Sequence, residues 1–351
     1  MSREAYLLWG NHGSTAGIGE IAFTVISSLS EQYSVRPTKT IRPGKLNIII
    51  DEFSNPHFVT HFLKTKIEAP TTKYVILATE FITPISIFGL ELGRTFNFFG
   101  AADDWRRLLR DGLVRGKNRL PSYLHQRYIG FMSAIPACDV LVFVHPTIGD
   151  QLRDATKAFP NLVSPPAVVY PEFFMPLAAL EDQLNTRPIG FSLTGTLTRY
   201  RKRTMNRLVK TFQRSGWNHP IWKHSGFDDS KPIEFANQSI RFNYDNAGGE
   251  GYLFNINPPQ QSTWPFSSPM RILRAALLGQ IPVVTKKFRD HAIEDISLLW
   301  DHRVDTALKM QFYAMDRRQL LAQYLGSIEQ YNLLARDKNR DFLNALARLE
   351  S

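Results

Sequence analysis

Short apolar runs alternate with stretches of helical spacing through the first half of the chain. Tyr6-Leu7-Leu8-Trp9, Leu46 to Ile50, Tyr74 to Ala78 and Val140 to Val144 read as strands, and Glu20 to Leu29 reads as a helix between the first two. Such alternation predicts a parallel sheet flanked by helices. Six prolines then fall between Phe159 and Pro188, among them Pro165-Pro166, Pro171 and Pro176. Because proline fixes φ and removes a backbone donor, the stretch reads as a connection between domains.

The same architecture restarts after it. Ile189-Gly190-Phe191-Ser192-Leu193 reads as a strand, followed by Gly195-Thr196 and a basic helix from about Arg201 to Arg214. Further strands are expected at Tyr252 to Ile256 and Ile281 to Thr285, with a helix from Pro269 to Leu278 between them. From Gln311 to Leu349 the chain is helix-forming, with Leu320, Leu321, Tyr324, Leu325 and Ile328 at helical spacing. The expected organisation is a first Rossmann-like α/β domain over 1–165, a proline-rich linker over 166–187 and a second Rossmann-like domain over 188–310. A helical segment over 311–351 then packs back toward the first domain, and the two domains face each other across a cleft. There is no internal repeat or low-complexity tract.

Composition supports this division. A chain of 351 residues is too long for one ordinary core and suits two domains. Its 43% hydrophobic, 21% charged and 12% aromatic content is that of a folded protein, which excludes disorder as the default. The first residues lack the core and cleavage signature of a signal peptide. The longest apolar stretch, Tyr74 to Leu92, is interrupted by Glu80, Pro84 and Glu91 and so does not read as a membrane span. The lone Cys138 offers neither a disulfide nor a zinc cluster, as expected of a cytoplasmic protein. A formal charge of +10 concentrates at Arg106 to Arg127 and Arg199 to Arg214. These clusters suit phosphorylated substrates or anionic lipid, or are solvated helix faces. No nucleic-acid module signature accompanies them, so no nucleic-acid partner is expected.

The most informative segment runs from Ser267-Ser268-Pro269-Met270-Arg271 to Gly279-Gln280-Ile281-Pro282-Val283-Val284. Serine is a favoured N-cap, proline a favoured first helical residue and glycine a favoured stop. A helix starting there offers unpaired N–H groups and its positive dipole end to an anion, and Arg271 can add charge-assisted bonds to a diphosphate. The pattern alone also admits an ordinary capped helix packed on a strand.

This segment resembles the donor-binding helix of the GT-B glycosyltransferases, in which Ser-Pro-x-Lys/Arg opens the helix and Gly-x-Pro-Val-Val closes it. Thr194-Gly195-Thr196-Leu197-Thr198-Arg199-Tyr200-Arg201-Lys202-Arg203 and Tyr252-Leu253-Phe254-Asn255-Ile256-Asn257 are similar to the corresponding stretches of the spore-maturation type, in the family-4-like group. The motif resemblance covers roughly Ile189 to Asp295. It implies a sugar transferase with a nucleotide-diphosphate sugar as donor substrate, no cofactor or metal, and a glycan or lipid-linked acceptor. Donor contacts are implied at Thr196, Arg199, Arg203, Asn257, Ser267, Ser268 and Arg271. One departure stands out, because the acid that contacts the donor ribose in many relatives falls at Arg274. The nucleotide then takes a different pose, or another acid, such as Glu250, takes over that role.

In the first domain, the loop Gly10 to Glu20 resembles the Gly-Gly-x-Gly loop facing the donor, with Ala16 in place of the first glycine and Gly17 and Gly19 present. His12 in this loop occupies the position of a catalytic histidine in many inverting GT-B enzymes. A neutral imidazole there could take a proton from an acceptor hydroxyl, or merely cap the next helix. Glu80 and Asp51 follow apolar strand cores and are alternative bases, since open parallel sheets present ligand-facing loops at their carboxyl ends. His125 reads as an exposed helical residue and His145 as an acceptor-side contact. The basic surface of the first domain would hold the chain at the inner face of an anionic membrane. A GT-B relative that binds nucleotide or glycan without turnover is the competing reading, and Arg274 favours it. A dinucleotide-dependent oxidoreductase is disfavoured, because no Gly-x-Gly-x-x-Gly follows the first strand.

Overall fold

The structure is a computed structural model. It describes residues 3–8, 18–50, 53, 55–79, 82–87, 90–96, 122–145, 148–150, 152, 163–168, 170, 177–193, 198–214, 221–223, 234–236, 239–241, 252–259, 269–285, 293, 296–299 and 316–350. The chain forms two compact units, one of residues 1–18, 22–170 and 338–351 and the other of residues 19–21 and 171–337.

The first unit is built on strands β1 (Arg3–Leu8), β2 (Tyr33–Thr38), β3 (Leu46–Ile50), β4 (Lys73–Ala78), β7 (Val140–Phe143) and β8 (Val163–Val168). They form a six-stranded sheet in the order β2-β1-β3-β4-β7-β8, every pair parallel. Helices α1 (Ile18–Leu29), α2 (Pro56–Glu68) and α3 (Ser122–Ala134) belong to the same half, as does the antiparallel hairpin β5 (Ile82–Ile87) and β6 (Leu90–Phe96). A parallel sheet covered on both faces needs strands apolar on both sides. The central strands meet this demand with Ile48-Ile49-Ile50, Val75-Ile76-Leu77 and Val140 to Phe143, all buried.

Two polar devices hold the amino edge of this sheet. The Asn47 amide accepts from the Arg42 N–H at 2.8 Å and donates to the Arg42 and Lys45 carbonyls at 2.9 Å each, closing the tight turn before β3. Gly44 takes φ +69 in that turn, a conformation open to glycine at little cost. Farther along, the Asp139 carboxylate accepts from Lys66 Nζ at 2.8 Å and from the Tyr74 N–H at 2.7 Å. This ties α2 to both β4 and β7. Burial pushes the neighbouring Cys138 thiol and Tyr74 phenol each up to about 12, so neither ionises near neutral pH.

The proline-rich stretch contains regular structure, contrary to the reading of residues 166–187 as a plain connection. Pro165 and Pro166 lie in β8, the edge strand, and residues 177–186 form helix α4 (Leu177–Thr186). Strand proline is tolerated at an edge or a bulge, where a missing donor breaks no ladder. Here the register slips between Val140 and Val142 of β7, which pair with Val163 and Ala167 and leave the prolines in the irregularity. The units divide between Tyr170 and Pro171.

The second unit holds β9 (Phe191–Leu193), β10 (Ile221–Lys223), β13 (Phe254–Asn257), β14 (Ile281–Val284) and β15 (Leu298–Leu299). They form a five-stranded parallel sheet in the order β10-β9-β13-β14-β15. Strands β11 (Glu234–Ala236) and β12 (Ser239–Arg241) form a separate antiparallel pair. Helix α5 (Arg199–Arg214) follows β9, and α6 (Pro269–Leu277) lies between β13 and β14. The last helix, α7 (Arg317–Glu350), contributes residues through Asp337 to the second unit and from Lys338 to the first.

Helix ends in this unit are satisfied by side chains and by one glycine. Gly279, with φ +65, stops α6: its N–H reaches the Ala276 carbonyl and the Gln280 N–H reaches the Ala275 carbonyl, both at 2.9 Å, the paired bonds of a Schellman cap. The Leu278 carbonyl accepts from Arg187, and the Leu184 carbonyl at the end of α4 accepts from Arg317. Cations at these carbonyls also complement the negative ends of the helices. Arg127, at the end of the basic stretch that begins at Arg106, is a buried residue of α3, and burial lowers its guanidinium to about 10. Among the described residues, no helix is long and apolar enough to cross a membrane.

Helix α3 approaches the chain beyond β3 so closely that a Cβ on Gly130 would sit 2.0 Å from the Phe53 carbonyl oxygen. Gly130→Ala is therefore expected to destabilise the protein by at least about 1 kcal/mol, overpacking outweighing the helix-propensity gain of about 1 kcal/mol. Gly326, inside α7, has nothing within 4 Å of such a Cβ. Gly326→Ala should leave stability unchanged or raise it by up to about 1 kcal/mol. Urea unfolding of both variants checks the pair, and equal effects would contradict the close approach at Gly130.

Candidate functional site

In each sheet the strand order turns back on itself. The chain runs from β9 through α5 outward to β10, then returns to place β13 on the other side of β9 before continuing to β14 and β15. Open α/β sheets bind ligands outside the carboxyl ends of the strands at such a reversal. The second unit thus has its candidate site beyond Leu193 of β9 and Asn257 of β13, between the starts of α5 and α6.

Each described residue at this edge is placed by its element. Thr198 caps α5, its hydroxyl accepting from the Arg201 N–H at 3.3 Å and its carbonyl from the Lys202 N–H at 2.8 Å. Arg199, the first residue of α5, is exposed at the edge, and Arg203 is exposed one turn along. Asn257 closes β13, buried, its amide donating to the Asn255 carbonyl at 3.1 Å. Arg271 lies half-buried in the first turn of α6. Arg199, Asn257 and Arg271 therefore belong to three elements that converge on one edge, whereas Arg203 lies farther from it along α5.

Arg201 is the residue that sequence reasoning missed. It is only 1% exposed, and its Nε donates to the Pro258 carbonyl at 3.3 Å, just beyond β13. The bond links the first turn of α5 to the loop leaving the adjacent strand, across the reversal. Burial pulls its guanidinium down to about 9, which still leaves it cationic at neutral pH. The signal available in the sequence was its spacing to Met205 and Leu208, both buried, at i+4 and i+7 on the core face of α5.

One layer below the edge, three buried polar side chains join the strands. Gln280 Nε2 donates to Ser192 Oγ at 3.0 Å and to the Tyr252 carbonyl at 2.9 Å, while Asn255 Nδ2 donates to Gln280 Oε1 at 3.0 Å and to Ser192 Oγ at 3.2 Å. Asn255 and Ser192 are register partners in β13 and β9, and the backbone of Gln280 leads into β14. The Tyr324 hydroxyl of α7 closes the set on the Gln280 carbonyl at 3.1 Å. A buried network favours the one arrangement of strands that pairs its members, and here the Asn255 Oδ1 is the member of the set that is buried without a partner. These bonds hold the three strands whose ends define the site.

Arg274, where the resemblance has an acid, is 2% exposed in the last turn of α6. A cation suits the negative end of that helix and a carboxylate would not. In the first unit the reversal lies between β1 and β3. His12, Asp51 and Glu80 follow β1, β3 and β4 in sequence and, like Gly17, lie outside the described residues. Gly19 lies in the first turn of α1. Thr196, Ser267 and Ser268 lie outside the described residues too, as does Glu250. His145, expected as an acceptor-side contact, follows β7 and is 1% exposed.

No protein-family model and no curated protein sequence matches the chain. Solved structures do. An alpha,alpha-trehalose-phosphate synthase (UDP-forming) from Burkholderia vietnamiensis matches over 95% of this chain and 78% of its own, at 13% identity and a TM-score of 0.50. The alpha,alpha-trehalose 6-phosphate synthase of Burkholderia multivorans matches over 94% and 76%, at 12% identity and a TM-score of 0.49. An alpha-glucosyltransferase in complex with UDP and DNA matches over 99% and 100%, at 9% identity and a TM-score of 0.48. At such identities the likeness speaks to fold. With two Rossmann-like units on all-parallel sheets, the chain has the GT-B fold of glycosyltransferases.

Proposed function

We propose that the chain transfers a sugar from a nucleotide-diphosphate sugar to a hydroxyl of a glycan or lipid-linked acceptor. The observation that carries this reading is the convergence, at one strand-order reversal, of two helix N-termini with Arg199 and Arg271. Helix N-termini and guanidinium groups are matched to the oxygens of a diphosphate. In this reading Thr196, Ser267 and Ser268 add hydroxyl and backbone donors, and Arg199, Arg271 and the buried cation of Arg201 stabilise the charge that develops as the diphosphate leaves. Arg203 and Asn257 complete the donor side, and Gly17 and Gly19 are the glycines proposed to allow close backbone approach to the donor.

His12 is the general base of this proposal, ahead of Glu80 and Asp51. As the acceptor oxygen bonds to the anomeric carbon, its proton passes to the imidazole and the bond from that carbon to the diphosphate oxygen breaks. No metal is required by the step, since helix ends and arginines carry the counter-charge.

UDP is the first donor fragment to test, because the Burkholderia vietnamiensis synthase is described as UDP-forming. By calorimetry, Arg271→Ala should weaken UDP binding by the worth of a charge-assisted bond, roughly 1.5–3 kcal/mol. Unchanged affinity would remove Arg271 from the site.

For the base, His12→Ala should leave nucleotide binding nearly intact and lower turnover on the order of 10²- to 10⁴-fold in a radiolabelled-sugar transfer assay. Full activity of His12→Ala together with an inactive Glu80→Gln would transfer the role to Glu80.

A further inference from the structure

Helix α5 carries a charge pattern that the donor site uses only at its start. Arg199, Lys202, Arg203, Arg207, Lys210 and Arg214 are all exposed, and the helix contains no acidic residue. At 3.6 residues per turn these six cations occupy one face, roughly 140° wide and about 22 Å long. The spacings 199–203, 203–207 and 210–214 are i,i+4, and like charges so placed destabilise a helix. Exposed faces elsewhere are mixed, as on α7, where Glu329, Arg336, Asp337, Lys338 and Asp341 alternate in sign. A helix that accumulates repulsion while its neighbours avoid it is matched to an external anion.

We infer that this face of α5 docks on an anionic lipid bilayer. On the opposite side of the helix Arg201, Met205 and Leu208 are buried. What remains exposed is a face that presents six cations over about 22 Å of helix, an array matched to the many phosphates of a bilayer surface. Single-stranded nucleic acid would ask for exposed aromatic platforms, and Tyr200 of α5 is half-buried. Four of the six cations are arginines, whose forked donors suit lipid phosphates. Attachment is electrostatic, since the described exposed positions of this helix are basic or polar. Each basic residue near an anionic leaflet raises the partition coefficient about fivefold, and the attraction fades beyond a Debye length. The inference rests on the whole basic face, and its test uses Arg207, Lys210 and Arg214, which the sugar-transfer reading does not use.

The test is sedimentation of the full chain with phosphatidylcholine vesicles containing or lacking 30% phosphatidylglycerol, the composition being an experimental choice of about physiological charge density. The protein should bind the anionic vesicles alone and dissociate at high salt. Arg207→Gln, Lys210→Gln and Arg214→Gln combined should lower the partition coefficient on the order of 100-fold, three factors of about five, with UDP affinity unchanged and melting temperature unchanged or raised by the loss of like-charge pairs. Lys39→Gln, Lys45→Gln and Lys64→Gln combined removes the same charge from exposed positions of the first unit and should keep most of the binding. Equal losses in the two triple variants would overturn the α5 assignment, as would absence of vesicle binding in the unmodified protein. Duplex DNA that displaces the protein from vesicles at phosphate-equivalent concentrations would also overturn it, making the face a nucleic-acid site.

Discussion

Parallel neighbours in a sheet can be joined only by a crossover, and the crossover is almost always right-handed. Two crossovers that leave adjacent strands in opposite directions therefore cover opposite faces of the sheet. Their starting loops diverge, and a crevice opens between them at the carboxyl edge. In the second unit this happens on either side of β9, where α5 departs toward β10 and the chain returns as β13. Every feature of the candidate site follows from that constraint. It sets which loops face the crevice, why two helices point their N-termini into it, and why Asn257 and Arg199 come from adjacent strands.

The polar interior maintains this geometry. Ser192, Asn255 and Gln280 bind three adjacent elements below the edge, and Tyr324 adds the last helix. Above them, Arg201 bridges to Pro258. A buried cation without a stabilising field would be costly, but one beside an anion site gains from the low local dielectric that strengthens charge pairing. Gly279 matters for the same reason: its left-handed turn delivers Gln280 to the network and begins β14. A Cβ there would meet Gln183 Oε1 at 2.4 Å in addition to the backbone strain.

Strand cores and helix periodicities were legible because burial on both faces of a parallel sheet leaves continuous apolar runs such as Leu46 to Ile50. Ser268-Pro269 and Gly279 marked α6 through local cap chemistry, and its described span, Pro269–Leu277, ends as those signals indicate. Strand order was not legible, since it depends on long-range pairing that no local pattern encodes. β8 was missed because its prolines are compatible with a strand only at an edge, and edge position is itself a matter of order. The burial of Arg127 and Arg201 was not legible for a related reason: in a basic cluster only packing reveals which member faces inward. Arg274 read as a broken ribose contact. Its place in the last turn of α6 supplies an independent structural reason for a cation there.

The central claim is that the reversal at β9 and β13 receives a nucleotide diphosphate. Hydrogen–deuterium exchange of the full chain, with and without saturating UDP, tests it most directly, because a bound diphosphate would shield the backbone at the starts of α5 and α6. The account predicts slowed exchange concentrated in residues 194–203 and 257–273, with little change in β1 to β4. Binding confirmed by calorimetry but accompanied by protection only outside those two segments would contradict it.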